Sequence, residues 1–240
     1  MLMLGISLVR ANSPAEHPLR FLALGDSYTV GEGVPPSMSW PQQLARQLSA
    51  RRGVVVETDI VAATGWTTGN LLSAIERRAL NDNSSSGVIS PPYDLVALQI
   101  GVNNQFQGRS EVEYRQDLKT LLQRSIALAG GRADRVFLLS IPDYAFTTFG
   151  LSLGESGASV SKAIDRFNVI NSTVSRDFRV ARLNVTLISR QALDDTTLLA
   201  EDGLHPSAKQ YGLWVRALLA ECSDRTGALS SIAVLCNGGG

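Results

Sequence analysis

The sequence predicts an α/β fold, a three-layer α/β/α sandwich with helices on both faces of a mainly parallel sheet of about five strands. Three observations carry this. Short apolar runs of strand length alternate with segments whose apolar residues recur at helical spacing. Strands separated by helices pair in parallel through right-handed crossovers. No internal repeat and no linker rich in Pro and Gly breaks the alternation, so the 240 residues read as one large domain.

The first strand is Arg20 to Leu24, an apolar run that stops at Gly25. A helix begins near Ser39, where Pro41 suits the first turn and Ser39 with Gln42 fits a capping box; Leu44 and Leu48 mark its inner face. Val54 to Val56 with Ile60 and Val61 give a β-branched second strand. Leu71, Leu72 and Ile75 suggest a helix that fades into the polar, Ser-rich stretch from Asn81 to Ser90, read as a surface loop. Leu95 to Leu98 is the third strand. Ser110 and Glu113 form a capping box ahead of Leu118, Leu121, Leu122 and Ile126. Val136 to Leu139 is the fourth strand, followed by a long irregular segment from Pro142 to Ser159. Ile164, Phe167, Ile170 and Val174 define the next helix, and Arg179 to Val185 a less regular fifth strand. Ser207 caps a last helix with Tyr211, Trp214 or Val215, Leu218 and Cys222 inside. The domain is placed at residues 20–222, between an N-terminal extension at 1–19 and a tail at 223–240.

Composition excludes several functions. Lys+Arg and Asp+Glu are both 22, with no basic stripe, so there is no electrostatic footprint for nucleic acid. Aromatics at 6% argue against stacking platforms. Two histidines and no Cys/His cluster exclude a His-rich metal site. Met1 to Val9 is apolar but too short to span a membrane. It reads as a trimmed signal, a misassigned start or an early strand; no basic residue precedes it and no small-x-small site follows. Cys222 and Cys236 either close a loop in an oxidising compartment or stay as two thiols.

In open parallel sheets, ligands sit beyond the carboxyl ends of the strands. After the first strand comes Gly25-Asp26-Ser27, a turn sharp enough to expose a serine hydroxyl, or an ordinary cap of the next helix. Gly31-Glu32-Gly33 lacks a following Lys-Ser/Thr, which argues against a phosphate loop. A serine needs a base to act as nucleophile. His17 lies in a polar segment beside Pro18, whereas His205 stands just before the last helix, three residues after Asp202. A turn can bring the Asp202 carboxylate to one imidazole nitrogen and leave the other for Ser27. The same loop also reads as Asp and His satisfying backbone groups. An oxyanion needs aimed donors, and the Gly65 N–H, the Asn103 amide and the Ser27 N–H are candidates after strands two, three and one. Tyr144, Phe146 and Phe149 follow strand four and are candidates for an apolar acyl slot, with Trp66 opposite. Alone, each also reads as a loop anchor.

These segments resemble the SGNH, or GDSL-type, hydrolases, a family of lipolytic esterases, lysophospholipases and carbohydrate acetylesterases. Four blocks match in order from Phe21 to about Leu219: Gly25-Asp26-Ser27, Gly65, Asn103, and Asp202 with His205. Two positions depart: Ala63 stands where the family often has Asn, and Asn104 where it often has Asp. These put supporting contacts and substrate preference in question more than the reaction. The resemblance implies a flavodoxin-like sheet, a shallow loop-lined cleft, acyl transfer through Ser27, His205 and Asp202, and neither metal nor organic cofactor. It implies a small ester as substrate, favours export, and leaves oligomeric state open. The expectation is a short-chain esterase, because no amphipathic lid or large apolar stripe is evident. The rivals are a carbohydrate acetylesterase, a lysophospholipase or thioesterase, a catalytically silent binding module, and a nucleotide-binding flavodoxin-like protein.

Overall fold

The structure is a computed structural model that describes residues 17–79, 89–154, 156–223 and 232. Most of the expected N-terminal extension, of the loop from Asn81 to Ser90 and of the tail lies outside these residues, as does the pairing of Cys222 with Cys236.

Five strands form one sheet: β1 (Leu19–Gly25), β2 (Val56–Ala62), β3 (Leu95–Gln99), β4 (Val136–Leu139) and β5 (Ala181–Leu183). Their order is β2-β1-β3-β4-β5, and every adjacent pair is parallel. The helices are α1 (Ser27–Val30), α2 (Trp40–Arg52), α3 (Thr68–Ala79), α4 (Val102–Phe106), α5 (Glu111–Leu128), α6 (Thr148–Ser152), α7 (Ser156–Asp177), α8 (Thr186–Ser189) and α9 (Ala208–Ser223). α2 packs on α9, and α5 packs on both α3 and α7. With right-handed crossovers, this puts α2 and α9 on one face of the sheet and the other three on the opposite face. The three-layer α/β/α sandwich read from the sequence is therefore the fold.

The sheet is apolar because it is covered on both sides. All of β3 and β4 is buried, and Leu22, Leu24, Val96 and Leu98 are fully enclosed. Each such side chain contributes roughly 1.5–3 kcal/mol relative to exposure. β2 is an edge strand, and its burial alternates.

Three local expectations are corrected. Ser39 occupies the N-cap position of α2 without capping it: its hydroxyl donates to the Pro36 carbonyl at 2.9 Å, closing the preceding turn instead. The segment from Pro142 to Ser159 is not irregular. Asp143 accepts from the Ala145 N–H and Thr147 from the Gly150 N–H, which starts a 3-10 turn at Tyr144–Phe146 and then α6. The fifth strand shortens to three residues, because Arg179 takes a positive φ of 54° before it and α8 begins at Thr186. The Ser110 cap holds: its hydroxyl accepts from the Glu113 N–H at 3.1 Å. Ser207 likewise accepts from the Gln210 N–H at 3.3 Å.

The register places the site. Gly25 pairs with Ala62 on one side and Gln99 on the other, so β1, β2 and β3 end level. The chain leaves β1 in opposite directions to build β2 and β3, and the crevice at that reversal is where such sheets hold ligands.

Candidate active site

Asp26, between β1 and α1, has an extended backbone and accepts from the Tyr28 N–H at 3.1 Å, so it caps α1 and sets Ser27 on its first turn. Gly25 is required by close approach: a Cβ there would lie 2.1 Å from Thr29 Oγ1 and 2.4 Å from the Gln99 carbonyl. Ser27 is 4% exposed, with its hydroxyl at the floor of a cleft.

The imidazole of His205 comes from a tight local turn. Asp202 Oδ1 accepts from the N–H groups of Leu204 and His205, both at 2.9 Å. Its Oδ2 lies 2.7 Å from His205 Nδ1. Nε2 of the same ring is 3.1 Å from Ser27 Oγ. Partial burial would raise the Asp202 carboxyl, but the His205 ring and the two N–H groups outweigh it and leave it below its ordinary value. The Ala200 N–H donates to the His205 carbonyl at 2.8 Å, and Leu199 bridges Pro206, so the turn is stapled on itself. The Tyr28 ring meets the imidazole edge-on at 5.6 Å. His17 is exposed at the far, amino end of β1.

Across the cleft stand Gly65 and Asn103. Gly65 has a φ of +81°, a conformation that side-chain-bearing residues rarely take, at the turn from β2 to α3. Asn103, on α4, donates one amide hydrogen to the Trp66 carbonyl at 3.0 Å, which orients the group and leaves its second hydrogen for a ligand. The structure brings Ser27, His205, Gly65 and Asn103 around one cavity of about 170 Å³, with Asp202 behind the imidazole. Thr64, Tyr28, Val102, Phe106, Tyr144, Phe149 and Leu204 complete its lining. A serine whose proton can pass to a carboxylate-held imidazole, facing amide donors, can perform acyl transfer.

The aromatic expectations divide. Tyr144 and Phe149 line the cavity, with ring centroids 6.3 Å apart. Phe146 does not: it faces a separate depression under Arg190, whose guanidinium lies 5.4 Å from its ring centroid. Trp66 does not line the cavity either; its ring packs half-buried against the core, and its contribution to the site is the carbonyl that holds Asn103. Sequence reasoning missed Phe106, which packs edge-on against Tyr144 at 6.0 Å. Its signal was its position one helical turn after Asn103.

Asn104, the departure in the third block, is fully buried and uses both ends of its amide on one residue. Its oxygen accepts from the Thr68 N–H at 3.0 Å, its nitrogen donates to Thr68 Oγ1 at 2.8 Å, and that hydroxyl donates to Asp117 at 2.6 Å. The amide thus ties the Gly65–Asn103 side of the cleft to the start of α3. Asp26 is also fully buried, with one carboxyl oxygen lacking a partner among the described residues. Burial raises its pKa to about 8, against the opposing pull of the N–H groups of Tyr28, Asp26 and Gly101. Among the described residues, no cluster of His, Cys, Asp and Glu could hold a metal ion, and no helix is long and apolar enough to cross a membrane.

The model of the GDSL-like lipase/acylhydrolase family matches residues 23–213, and the chain belongs to that family. It is a hydrolase of that class. Comparison with curated proteins gives no match. Among solved structures it is similar to TesA, at 18% identity over 84% of this chain and 96% of the other, with a TM-score of 0.62. It is similar to an acetylxylan esterase from Geobacillus stearothermophilus, at 17% identity over 84% and 93%, with a TM-score of 0.62. It is also similar to a lipase/acylhydrolase from Enterococcus faecalis, at 19% identity over 86% and 96%, with a TM-score of 0.62. At these identities the likeness is one of fold.

Proposed function

We propose that this protein is a serine esterase that hydrolyses short-chain carboxylic esters through an acyl-enzyme intermediate on Ser27. The observation that carries the reading is the continuous chain from Ser27 Oγ to His205 Nε2, at 3.1 Å, and from His205 Nδ1 to Asp202, at 2.7 Å, at the wall of an apolar cavity. Ser27 Oγ attacks the acyl carbon while its proton passes to Nε2. Asp202 holds the tautomer and stabilises the imidazolium. The carbonyl oxygen, now carrying the negative charge, is held by the Ser27 and Gly65 N–H groups and the free hydrogen of the Asn103 amide. The tetrahedral species collapses, the carbon–oxygen bond to the alcohol breaks, and His205 returns the proton to the departing alcohol. Water then attacks the acyl carbon as its proton passes to His205, the bond from that carbon to Ser27 Oγ breaks, the carboxylic acid leaves, and His205 returns the proton to Ser27 Oγ.

The cavity supports a small acyl group. Its volume of about 170 Å³ is close to that of an apolar cavity of roughly 150 Å³ that takes up benzene, which favours a short acyl group. Tyr144, Phe149 and Phe106 form its apolar wall. Hydrolysis of p-nitrophenyl esters from acetate to palmitate tests both parts. Acetate and butyrate are expected to be cleaved fastest, and Ser27→Ala and His205→Ala to lose at least about a thousandfold in kcat. A preference for palmitate contradicts the short-chain reading. Parent-level activity in Ser27→Ala contradicts the nucleophile.

A further inference from the structure

We infer that Glu32 is a positioning residue, holding the turn that carries the Gly65 oxyanion donor in register with Ser27. The inference rests on the esterase reading above and concerns how its oxyanion side is kept in place.

The turn has little rigidity of its own. Thr64 and Gly65 are both exposed, a Cβ on Gly65 would meet nothing within 4 Å, and Gly65 has a positive φ. Among the described residues, the one backbone hydrogen bond within 63–66 runs from the Trp66 N–H to the Ala63 carbonyl, at a long 3.3 Å. Position is imposed from outside by three side chains. Asn103 donates to the Trp66 carbonyl at 3.0 Å and Gln107 to the Gly65 carbonyl at 3.3 Å, both from the β3 side. The third is Glu32, whose carboxylate accepts from the Thr64 hydroxyl.

Glu32 differs from the other two in what its backbone does. Its N–H donates to the Ser27 carbonyl at 3.0 Å, beside the Gly31 N–H on the same oxygen. One residue is thus bonded by its main chain to the nucleophile and by its side chain to the residue before the oxyanion donor. The charged acceptor makes this bond stronger than a neutral one. Without it, the side-chain ties to the Thr64–Gly65 turn would come only from the β3 side, and beyond the end of the β1–β2 ladder at Gly25 and Ala62 no side chain would link the turn to the Ser27 segment. Loss of a whole oxyanion donor costs on the order of a hundred- to a thousandfold in rate, and misplacement by about an ångström can cost as much as a hundredfold. A loosened donor falls below these limits.

The test is steady-state hydrolysis of p-nitrophenyl butyrate by wild type, Glu32→Ala, Glu32→Gln, Thr64→Val and the Glu32→Ala/Thr64→Val double variant, each checked by melting temperature. Glu32→Ala and Thr64→Val are each expected to lower kcat about tenfold with KM within about twofold. The double variant should be no slower than either single one, because both remove the same bond. Glu32→Gln keeps an acceptor oxygen and should recover kcat to within about threefold of wild type. The inference is overturned if the variants match wild type, if the two losses multiply, if only KM moves, or if Glu32→Gln is as slow as Glu32→Ala. Should Glu32→Ala fail to fold, Thr64→Val against Glu32→Gln gives the same decision. A Ser27-dependent wild type indifferent to these changes sinks this inference alone. A wild type that cleaves no ester, or that survives Ser27→Ala, sinks the esterase reading and this inference with it.

Discussion

The Asp202–His205 turn and the Gly65–Asn103 wall face each other across Ser27, yet they are held in different ways. The first is local. Four consecutive residues fix their own geometry through two N–H bonds to Asp202 Oδ1, with one distant tie, the Phe149 N–H to the Gly203 carbonyl at 3.0 Å. The second is assembled from afar. Asn103 reaches back 37 residues to Trp66, Asn104 reaches 36 to Thr68, and Phe106 meets Tyr144 from another loop. A local turn either forms or does not, so changes there should remove activity outright. A wall built of separate tethers should fail by degrees, with chemistry and specificity yielding separately.

The largest expected effect on the assembled side is that of Asn103→Ala. On the esterase reading it removes the proposed oxyanion donor and the tether to Trp66 together, and kcat should fall by about a hundred- to a thousandfold, or roughly 3–4 kcal/mol, with KM little changed. A rise in KM with kcat unchanged would show Asn103 serving only as a structural tie. Phe106→Ala sharpens the contrast. Phe106 is 59% exposed at the mouth of the cavity, and its removal opens the wall without touching the nucleophile. The ratio of kcat/KM for octanoate over butyrate esters should rise about tenfold, what burial of roughly one of the four extra methylenes in an apolar pocket is worth at the lower end. An unchanged ratio would place the acyl group elsewhere.

The smallest effect concerns stability. The buried Asp26 carboxyl is raised from 3.8 to about 8, chiefly by desolvation. The native state therefore keeps a proton that the unfolded chain releases at lower pH. The stability this gives is complete below about pH 4 and lost as pH rises through 8. Asp26→Asn preserves an acceptor for the Tyr28 N–H and removes the ionisation. Between pH 5 and 8.5 the wild type should lose several degrees more in melting temperature than the variant. Parallel losses would contradict the assignment.

These contrasts also separate what the sequence made legible from what it did not. Apolar runs of strand length located β1, β3 and β4 closely, because strands covered on both faces leave little room for polar residues. The edge strand β2 carries Glu57, Thr58 and Asp59 in its middle and β5 is only three residues long, so both were located with looser bounds. Gly25-Asp26-Ser27 and Asp202 to His205 were readable because each is contiguous, with its chemistry carried by neighbours along the chain. Phe146 and Trp66 were misplaced because the facing of an aromatic in a loop depends on its caps. Asp143 and Thr147 coil that segment so that Tyr144 and Phe149 face the cavity while Phe146 goes under Arg190. Asn104 looked like a missing acid; only the fold shows that an amide satisfies both the N–H and the hydroxyl of Thr68. Glu32 was read only as the centre of Gly31-Glu32-Gly33, since its partner Thr64 lies on another strand's loop.

The most direct test of the central claim is mass spectrometry of the intact protein after treatment with a fluorophosphonate, followed by peptide mapping. One adduct per chain on Ser27 is the expected result, with labelling abolished in Ser27→Ala and strongly slowed in His205→Ala. A folded wild type that takes no label, or carries it on another residue while Ser27 stays unmodified, would contradict the account.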